Sequence, residues 1–321
     1  MVLINRLASI IRNTSILLKL VITFTGSSVV SGLIVVFLFS NWMFSESVDS
    51  INNMTRLVLS NFCLTISNTF ENSSKSAYYL YNVPNIKKII YSSKPDIEDM
   101  YSASMYLGNI MVSNPLLHSI YICNSDSILL DSGTDYNFKE NSDSSMDLIK
   151  KNHVLSPVYR NIQGKHGEFL EVFSIIYREG YKQEENGKAP AVIININARK
   201  LYEQFYIKFI DSNEDLLVTD NVGTVLMSKD MHMASNSILN EDYFHKAISA
   251  KDYWGSFHAN FNGKSRLISF YRFGNGKYIA LLVSNYNSFF KQIKELRDKI
   301  IFTCLLLLTS LLILSYYVSR K

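Results

Sequence analysis

Two uncharged apolar stretches, one near each end of the sequence, constrain most strongly what this chain can fold into. The first covers residues 20–39 and the second covers residues 300–318. Each has about the 20 residues that an α-helix needs to cross the ~30 Å hydrocarbon core of a bilayer. Lys19 and Trp42 flank the first stretch, and such charged and aromatic side chains are common at the membrane interface. We therefore expect two transmembrane helices, over residues 20–40 and 300–318.

The charged residues are distributed in a way that fits two membrane spans. Five of the 32 basic residues, and none of the 28 acidic residues, lie between a chain end and the nearer apolar stretch: Arg6, Arg12, Lys19, Arg320 and Lys321. Because basic segments stay in the cytoplasm, we expect residues 1–19 and 319–321 to be cytoplasmic and residues 43–298 to be outside. The net charge of +4 then reflects topology, and we expect no direct nucleic acid contact by this chain.

A cleaved signal peptide is the alternative interpretation of the first apolar stretch. Signal peptides have apolar cores of about 7–15 residues, which is shorter than this stretch. They also end in a small-x-small cleavage site, and none follows Phe39. A permanent membrane anchor is therefore the favoured prediction, with the lipid bilayer as a partner of the chain.

A long amphipathic helix is predicted over residues 41–82. The segment 45–82 contains neither proline nor glycine, and Asn82-Val83-Pro84 is predicted to end the helix. Apolar residues recur within it at spacings of three and four, which marks one face of a helix: Val48, Ile51, Met54, Val58, Phe62, Ile66 and Phe70. This stripe needs a partner, which is either the chain's own globular part or the same helix of a second copy. A homodimer is expected on that ground.

Residues 83–206 are predicted to form a first α+β module. Two short helices, at about 85–92 and 96–112, precede segments with the alternation and the turn residues typical of β-strands. The predicted strands are His118–Cys123, Ile128–Asp131, Val154–Tyr159, Glu168–Arg178 and Pro190–Asn197. A helix over Ala198–Tyr206 follows the last strand, and helices followed by antiparallel strands are typical of the α+β class.

A second, shorter module of the same kind is predicted over residues 207–286. The expected elements are a hairpin over 215–227, a helix over Glu241–Ala250 and strands at Tyr253–Asn260, Ser265–Arg272 and Lys277–Ser284. Asn262-Gly263 and Asn275-Gly276 are predicted to connect the last three strands, because Asn-Gly is the preferred pair for tight hairpin turns. A helix over 287–299 is predicted to continue without interruption into the second apolar stretch.

This order of parts resembles the double Cache sensors of bacterial transmembrane receptors. Three segments are similar to characteristic parts of that fold: HSIYICNSDSILLDSG (118–133), APAVIININARKLYEQF (189–205) and LLVTDNVGTVLMS (216–228). The resemblance implies an α+β fold with a membrane-distal and a membrane-proximal PAS-like module between two transmembrane helices. It also implies a multi-pass protein of the bacterial cell membrane whose sensor region lies outside and binds a small molecule.

The resemblance also indicates what kind of output such a sensor controls. Related ectodomains occur in membrane-bound AraC-type transcription regulators and in sensor histidine kinases of Gram-positive bacteria. The last residues, YYVSRK, are more similar to the AraC-type regulators. No effector domain follows residue 318 in this sequence, so the expectation is a fragment of a receptor or a receptor that has lost its output.

A ligand pocket is predicted in the first module, where aromatic and charged residues lie on the strands. Small-molecule sites combine apolar and aromatic walls with a few directed polar groups. The candidate residues are Tyr121, Asp131, Tyr159, Arg160, Phe173, Tyr177 and Arg178. Arg160 is the candidate for binding a carboxylate or phosphate, because a guanidinium binds such groups bidentately. The tyrosine, arginine and aspartate pattern of amino-acid-binding double Cache proteins is not found, which disfavours an amino-acid ligand.

Catalysis is the weaker interpretation of this sequence, and no enzyme, cofactor or metal site is predicted. Asp131-Ser132-Gly133-Thr134 is similar to the active-site loop of aspartic proteases, but that chemistry needs two such aspartates and only one copy is present. The six histidines show none of the common metal-ligand spacings. Two alternatives remain, a docking module for a partner protein and a membrane-tethered hydrolase built on Asp131. Cys63 and Cys123 are either two buried thiols, the favoured interpretation, or a disulfide.

Overall fold

The computed structural model describes most of the chain, which divides into two compact units. The described residues are 16–92, 94–124, 127–133, 145, 147, 149, 155, 157–163, 169–178, 190–209, 214–229, 236–284 and 286–319. One unit is Arg56–Ser284, and the other combines Met1–Thr55 with Asn285–Lys321. The parts of the predicted cytoplasmic ends at 1–15 and 320–321 lie outside the described residues.

A single helix, α1 (Ile16–Asn82), contains both the first apolar stretch and the predicted long amphipathic helix. The helix ends at Asn82 as predicted. Val83 is extended, with φ −66° and ψ 127°, and Pro84 is the first residue of the next helix, α2 (Pro84–Tyr91). Proline has no N–H to donate to the preceding turn and disfavours a helical conformation in the residue before it, which explains the break.

Among the described residues, one helix has a stretch long and apolar enough to cross a membrane, and this helix is α1. Its apolar side chains are exposed: Phe24 is 78% exposed, Val35 is 63% exposed and Phe37 is 64% exposed. Such exposure is unfavourable in water and favourable in lipid. The second predicted span, residues 300–318, lies within the last helix, α6 (Tyr286–Ser319). The insertion of α6 in a membrane stays a prediction.

The first module, which we call the distal module, contains α2, α3 (Ile97–Ser113) and a five-stranded antiparallel sheet. Its strands are β1 (Leu117–Cys123), β2 (Ile128–Gly133), β3 (Val158–Gln163), β4 (Phe169–Arg178) and β5 (Ala191–Asn197). Their order in the sheet is β2-β1-β5-β4-β3. The helix α4 (Ala198–Phe209) follows β5 directly.

The second module, which we call the proximal module, repeats this topology. Its elements are β6 (Asp215–Asp220), β7 (Val225–Ser228), α5 (Asp242–Ser249), β8 (Trp254–Phe261), β9 (Lys264–Phe273) and β10 (Tyr278–Ser284). The strand order is β7-β6-β10-β9-β8, so each strand has a counterpart in the distal sheet. The predicted α+β architecture of a long helix and two antiparallel modules is confirmed.

The apolar stripe of α1 is buried against the sheets of its own chain. Phe62, Ile66 and Phe70 are at most 7% exposed and belong to the same core cluster as residues of both sheets, such as Ile194 and Leu282. This burial explains why a 67-residue helix is stable along its outer half. This part of the stripe therefore has its partner within a single chain, whereas Met54, nearer the first apolar stretch, is 68% exposed.

Two local predictions differ from the structure. β3 covers Val158–Gln163 and so extends four residues beyond the predicted end at Tyr159, while the predicted start at Val154 lies outside the described residues. Asn262 and Gly263 have positive φ and form the predicted two-residue turn, since Phe261 pairs with Lys264. The other predicted Asn-Gly turn is a four-residue loop, because Gly274 also has positive φ and the strands resume only at Tyr278.

Candidate ligand-binding site

The distal sheet has one polar face, which we define by Ser119, Ser174 and Asn195. Ser119 on β1 and Ser174 on β4 both lie opposite Asn195 on the central strand β5. Residues that are paired across neighbouring strands point to the same side of a sheet. The three side chains therefore lie side by side in the middle of the sheet, and we call this side the polar face.

Arg160 on β3 joins these side chains in one hydrogen-bond network. Its Nε donates to Ser174 Oγ at 2.7 Å, and its Nη2 donates to Asn195 Oδ1 at 3.3 Å. Its Nη1 donates to Ser145 Oγ at 3.1 Å, at a helical position above the sheet. Ser174 Oγ donates to Asn195 Oδ1 at 2.6 Å, and Asn195 Nδ2 donates to Ser119 Oγ at 2.8 Å. The network thus connects four of the five strands with the segment above them.

The network holds a positive charge with neutral groups. Ser119, Ser145, Ser174 and Asn195 are fully buried, and Arg160 is half-buried. The three bonds fix the plane of the guanidinium, and their acceptors are hydroxyl and amide oxygens. A positioned guanidinium is suited to a carboxylate or phosphate, which it binds through two parallel N–H···O bonds.

An apolar cluster adjoins the network on the polar face. Its members are Tyr121, Cys123, Ile128, Ile149, Ile176, Ala191 and Ile193. Arg178 lies beside it and donates from Nη1 to the backbone carbonyl of Ile149 at 3.3 Å. Apolar walls next to a few oriented polar groups are the usual composition of a small-molecule site.

Burial raises the pKa of two titratable groups on the polar face. Asp131 on β2 lies opposite Tyr121, is half-buried, and has a pKa raised by loss of water, while its own backbone hydrogen bond lowers it. Burial raises the pKa of the Cys123 thiol to about 12, although the charge of Arg160 acts in the opposite direction. Cys63 and Cys123 are both buried free thiols, in agreement with the favoured interpretation of the sequence.

The seven predicted site residues divide between the two faces of the sheet. Tyr121, Asp131, Arg160 and Arg178 lie on the polar face, as the pairings and hydrogen bonds above show. The other three lie on the opposite face, against α1: Tyr159, Phe173 and Tyr177. The ring of Phe173 is 4.9 Å from that of Phe70, and the ring of Tyr177 is 5.1 Å from that of Tyr81. These three side chains belong to the core, and the candidate site is formed without them.

Sequence reasoning missed the neutral members of the network, namely Ser119, Ser145, Ser174 and Asn195. A signal for three of them is present in the sequence. Ser119, Ser174 and Asn195 are polar residues that interrupt apolar runs, in the segments LHSIYIC, EVFSIIYR and AVIININ. Buried polar residues in such positions need hydrogen-bond partners, and these three find them in one another.

Metal ligands do not cluster in the described part of the chain. Within it, no group of three or more His, Cys, Asp or Glu side chains is arranged to hold a metal ion. The polar groups of the network around Arg160 are an arginine, an amide and hydroxyls, which suit an organic anion better than a cation.

No protein-family model matches the sequence, and no curated protein is similar to it at a significant level. Solved structures do match. The extracellular domain of a proposed histidine kinase, vpHK1S-Z8, has a TM-score of 0.56 at 11% identity, and the match covers 77% of this chain and 98% of that one. A second such domain, from soHK1S-Z6, has a TM-score of 0.54 at 15% identity, with 78% and 99% covered.

A chemoreceptor has the same architecture. The ligand-binding domain of the amino acid chemoreceptor PctB of Pseudomonas aeruginosa, in complex with L-Arg, has a TM-score of 0.54 at 10% identity, with 78% and 92% covered. At these identities the comparisons establish the fold. The chain has the double Cache fold, with a long N-terminal helix and two antiparallel sheet modules, as predicted from the sequence.

Proposed function

We propose that this chain is the extracellular sensing part of a bacterial membrane receptor and that it binds a small anionic molecule on the polar face of its distal module. The observation that carries this proposal is the buried network around Arg160, in which three bonds to neutral oxygens orient a charged guanidinium. A guanidinium held in this way is suited to a ligand carboxylate or phosphate, which it binds through two parallel N–H···O bonds.

The class of ligand follows from the chemistry of the site. Arg160 provides the directed positive charge, and the apolar cluster around Tyr121 and Ile193 accommodates a hydrocarbon or aromatic part. PctB was solved with an amino acid, but the pattern typical of amino-acid-binding double Cache proteins is not found in this sequence. We therefore propose an organic carboxylate or phosphate ester that lacks an α-amino group.

The membrane arrangement that we propose has two spans, one in α1 and one at residues 300–318 of α6. Its support is the apolar length of both stretches and the basic residues that flank them on their terminal sides. In this arrangement ligand binding is transmitted through α6 to a cytoplasmic output. An AraC-type transcription regulator is the first candidate for this output, on the resemblance of residues 316–321, and a histidine kinase is the second.

A homodimer is part of this proposal, with the exposed side of α1 as the contact. Leu57 and Leu64 lie two helical turns apart on this side and are 63% and 57% exposed. Two copies held in one membrane have the same orientation, which favours contact between parallel helices. Replacement of Leu64 by cysteine is expected to give a disulfide-linked dimer in membranes under mild oxidation, whereas Thr69→Cys, on the same helix, serves as the control.

We propose binding without catalysis. In aspartic proteases a second carboxylate raises the pKa of the catalytic aspartate. The raised pKa of Asp131 has a different cause, since burial is the dominant contribution to it. A half-buried strand aspartate of this kind is typical of a binding-site wall or a strand end.

Ligand binding is tested on the full chain in lipid nanodiscs, by thermal unfolding with a panel of carboxylates and phosphate esters. A ligand that binds the folded state raises the unfolding temperature as its concentration increases. We expect at least one compound to stabilise the wild type, and we expect Arg160→Gln to abolish this shift. Arg199→Gln removes an exposed arginine outside the site and should leave the shift unchanged. A shift that persists in Arg160→Gln, or a complete absence of stabilising anions, would contradict the proposal.

Docking of a partner protein is the second candidate function, because one helix of the distal module leaves an apolar stripe uncovered. Ile97, Tyr101, Met105 and Val112 on α3 are between 56% and 87% exposed and follow one another at near-helical spacing. Exposed apolar stripes of this extent mark interaction surfaces. Met105→Lys should abolish signalling if docking is the input, and it should leave signalling intact if the input is a ligand on the polar face.

A further inference from the structure

One side chain of β10 forms a hydrogen bond between the two modules. Tyr278 is the first residue of this strand, and its hydroxyl donates to the backbone carbonyl of Pro157 at 3.3 Å. Pro157 immediately precedes β3, the strand that carries Arg160. A single hydrogen bond therefore connects the start of the arginine-bearing strand with the last strand of the proximal sheet.

A series of aromatic rings accompanies this hydrogen bond, and we call it the aromatic series. Its members are Tyr159, Phe173, Phe70, Tyr278 and Phe273. Successive ring centroids are separated by 5.6 Å, 4.9 Å, 6.0 Å and 5.4 Å. These distances are within the range of direct packing between aromatic side chains. The series starts at Tyr159, the neighbour of Arg160, crosses α1 at Phe70 and ends at Phe273, the last residue of β9.

The loop before β10 holds the ring of Tyr278 closely. Gly274 has a φ of +60°, and a Cβ atom at this position would lie 2.8 Å from the Tyr278 ring, so only glycine allows this approach. Burial raises the pKa of Tyr278, and the charge of Asp220 acts in the same direction. The hydroxyl therefore stays protonated at neutral pH and remains a donor to Pro157.

We propose that Tyr278 is a positioning residue that couples β3, at the polar face of the distal module, to β10 in the proximal module. Packed rings and a hydrogen bond to the backbone do not deform continuously, so a displacement of β3 is passed to the strand that they hold. β10 is followed, after one residue, by α6. The inference rests on the proposed function, because it takes β3 as the strand that responds to a ligand.

The test measures coupling without any ligand, so its outcome does not depend on whether the ligand class is right. Hydrogen–deuterium exchange of the β10 amides is followed by mass spectrometry in the full chain in nanodiscs. Four proteins are compared, the wild type, Arg160→Gln, Tyr278→Phe and the double variant. Arg160→Gln disturbs β3 directly, and Tyr278→Phe removes only the hydroxyl. Tyr271→Phe removes a hydroxyl from the neighbouring strand β9 and is the matched control.

We expect Arg160→Gln to increase the exchange of β10 amides about threefold or more in the wild-type background. The same substitution should have less than about half of this effect in the Tyr278→Phe background and its full effect in the Tyr271→Phe background. An equal effect in the Tyr278→Phe background, or no effect of Arg160→Gln on β10, would overturn the proposal. If coupling is observed and no anion binds, the proposed ligand class fails and the coupling stands.

A second variant guards against a general loss of structure in Tyr278→Phe. Phe70→Leu interrupts the aromatic series at α1 and leaves the tyrosine hydroxyl in place. In the Phe70→Leu background, Arg160→Gln should increase the exchange of the β10 amides about half as much as it does in the wild-type background. The exchange of the β1 amides should stay as in the wild type. If Arg160→Gln increased the β10 exchange in this background as much as in the wild type, the aromatic rings would not contribute to the coupling.

Discussion

Arg178 and Arg272 occupy equivalent strands of the two sheets, and each donates to the backbone of the segment that covers its sheet. Arg178 on β4 donates to the carbonyl of Ile149 at 3.3 Å. Arg272 on β9 donates to the carbonyls of Ile248, Ala250 and Asp252, at 3.1 Å, 2.6 Å and 2.6 Å. The C-terminal end of α5 and the residues that follow it are thus held on the proximal sheet by three hydrogen bonds from one guanidinium.

The two modules use this shared design differently. In the proximal module, α5 packs directly on the sheet through Phe244 and Ala247, both of which are fully buried. In the distal module, the segment above the sheet contacts the polar network through Ser145. We interpret the proximal module as a rigid support and the distal module as the one that binds a ligand.

Arg272→Gln should destabilise the proximal module strongly. The substitution removes three hydrogen bonds from a charged donor and the contact of the guanidinium with the Tyr253 ring at 5.6 Å. The expected loss in the free energy of unfolding is about 2–4 kcal/mol. Thermal unfolding of the full chain measures it, with the exposed Lys264→Gln on the same strand as control. Equal unfolding temperatures for the two variants would show that these bonds contribute little.

Asn195→Ala should destabilise the distal module, because it leaves the groups around it without their partners. Asn195 is fully buried and is bonded to Arg160, Ser174 and Ser119. Loss of a buried side chain that leaves its hydrogen-bond partners unsatisfied costs about 1–3 kcal/mol. Asn161→Ala, at an exposed position of β3, should cost less than about 0.5 kcal/mol. Denaturant unfolding compares the two, and a similar midpoint for both would contradict the role of the network.

Asp131→Asn should stabilise the protein at neutral pH, and the gain should shrink as the pH is lowered. Burial raises the pKa of Asp131 in the folded state above its ordinary value of 3.8. A raised pKa gives stability that is complete below the unfolded-state pKa and is lost as the pH rises through the folded-state pKa. At pH 7 the aspartate is therefore unfavourable, and asparagine relieves this cost.

The measurement for Asp131→Asn is the unfolding temperature of variant and wild type between pH 4 and pH 7. The difference at pH 7 should correspond to less than about 1 kcal/mol, because the side chain is half-exposed and water screens it. If the stability gained by Asp131→Asn grew as the pH was lowered, its sign would be opposite to the one expected, and burial would not be the cause of the raised pKa of Asp131.

The thiols of Cys63 and Cys123 should resist modification in the native protein. Both are buried, and burial raises the pKa of each, to about 12 for Cys123. Because the thiolate is the reactive form, labelling by a maleimide at pH 7.5 should be at least about 100-fold slower than in denaturant. Val222→Cys places a thiol at a position that is 60% exposed and lies outside the proposed dimer contact, and it should be labelled rapidly. An intact mass that corresponds to a Cys63–Cys123 disulfide would contradict the structure.

The faces of the strands show where sequence reasoning reached its limit. The predicted site contains two pairs of consecutive residues, Tyr159 with Arg160 and Tyr177 with Arg178. Consecutive strand residues point to opposite faces, so one member of each pair had to lie outside a site on a single face. Which face is polar depends on the pairing of strands that are distant in sequence. The Asn195–Ser119 bond, for example, joins residues 76 positions apart.

The sequence by itself determined the elements and the order in which they occur. The apolar periodicity of α1, the break at Pro84 and the turn at Asn262-Gly263 depend on neighbours within a few residues, and all three were predicted correctly. Only the tertiary structure decided which side of each strand meets α1, the end of β3 and the convergence of Arg160, Ser174 and Asn195. The physical reason is that helix and turn preferences are local, whereas strand register and the partners of buried polar groups are set by contacts between distant parts of the chain.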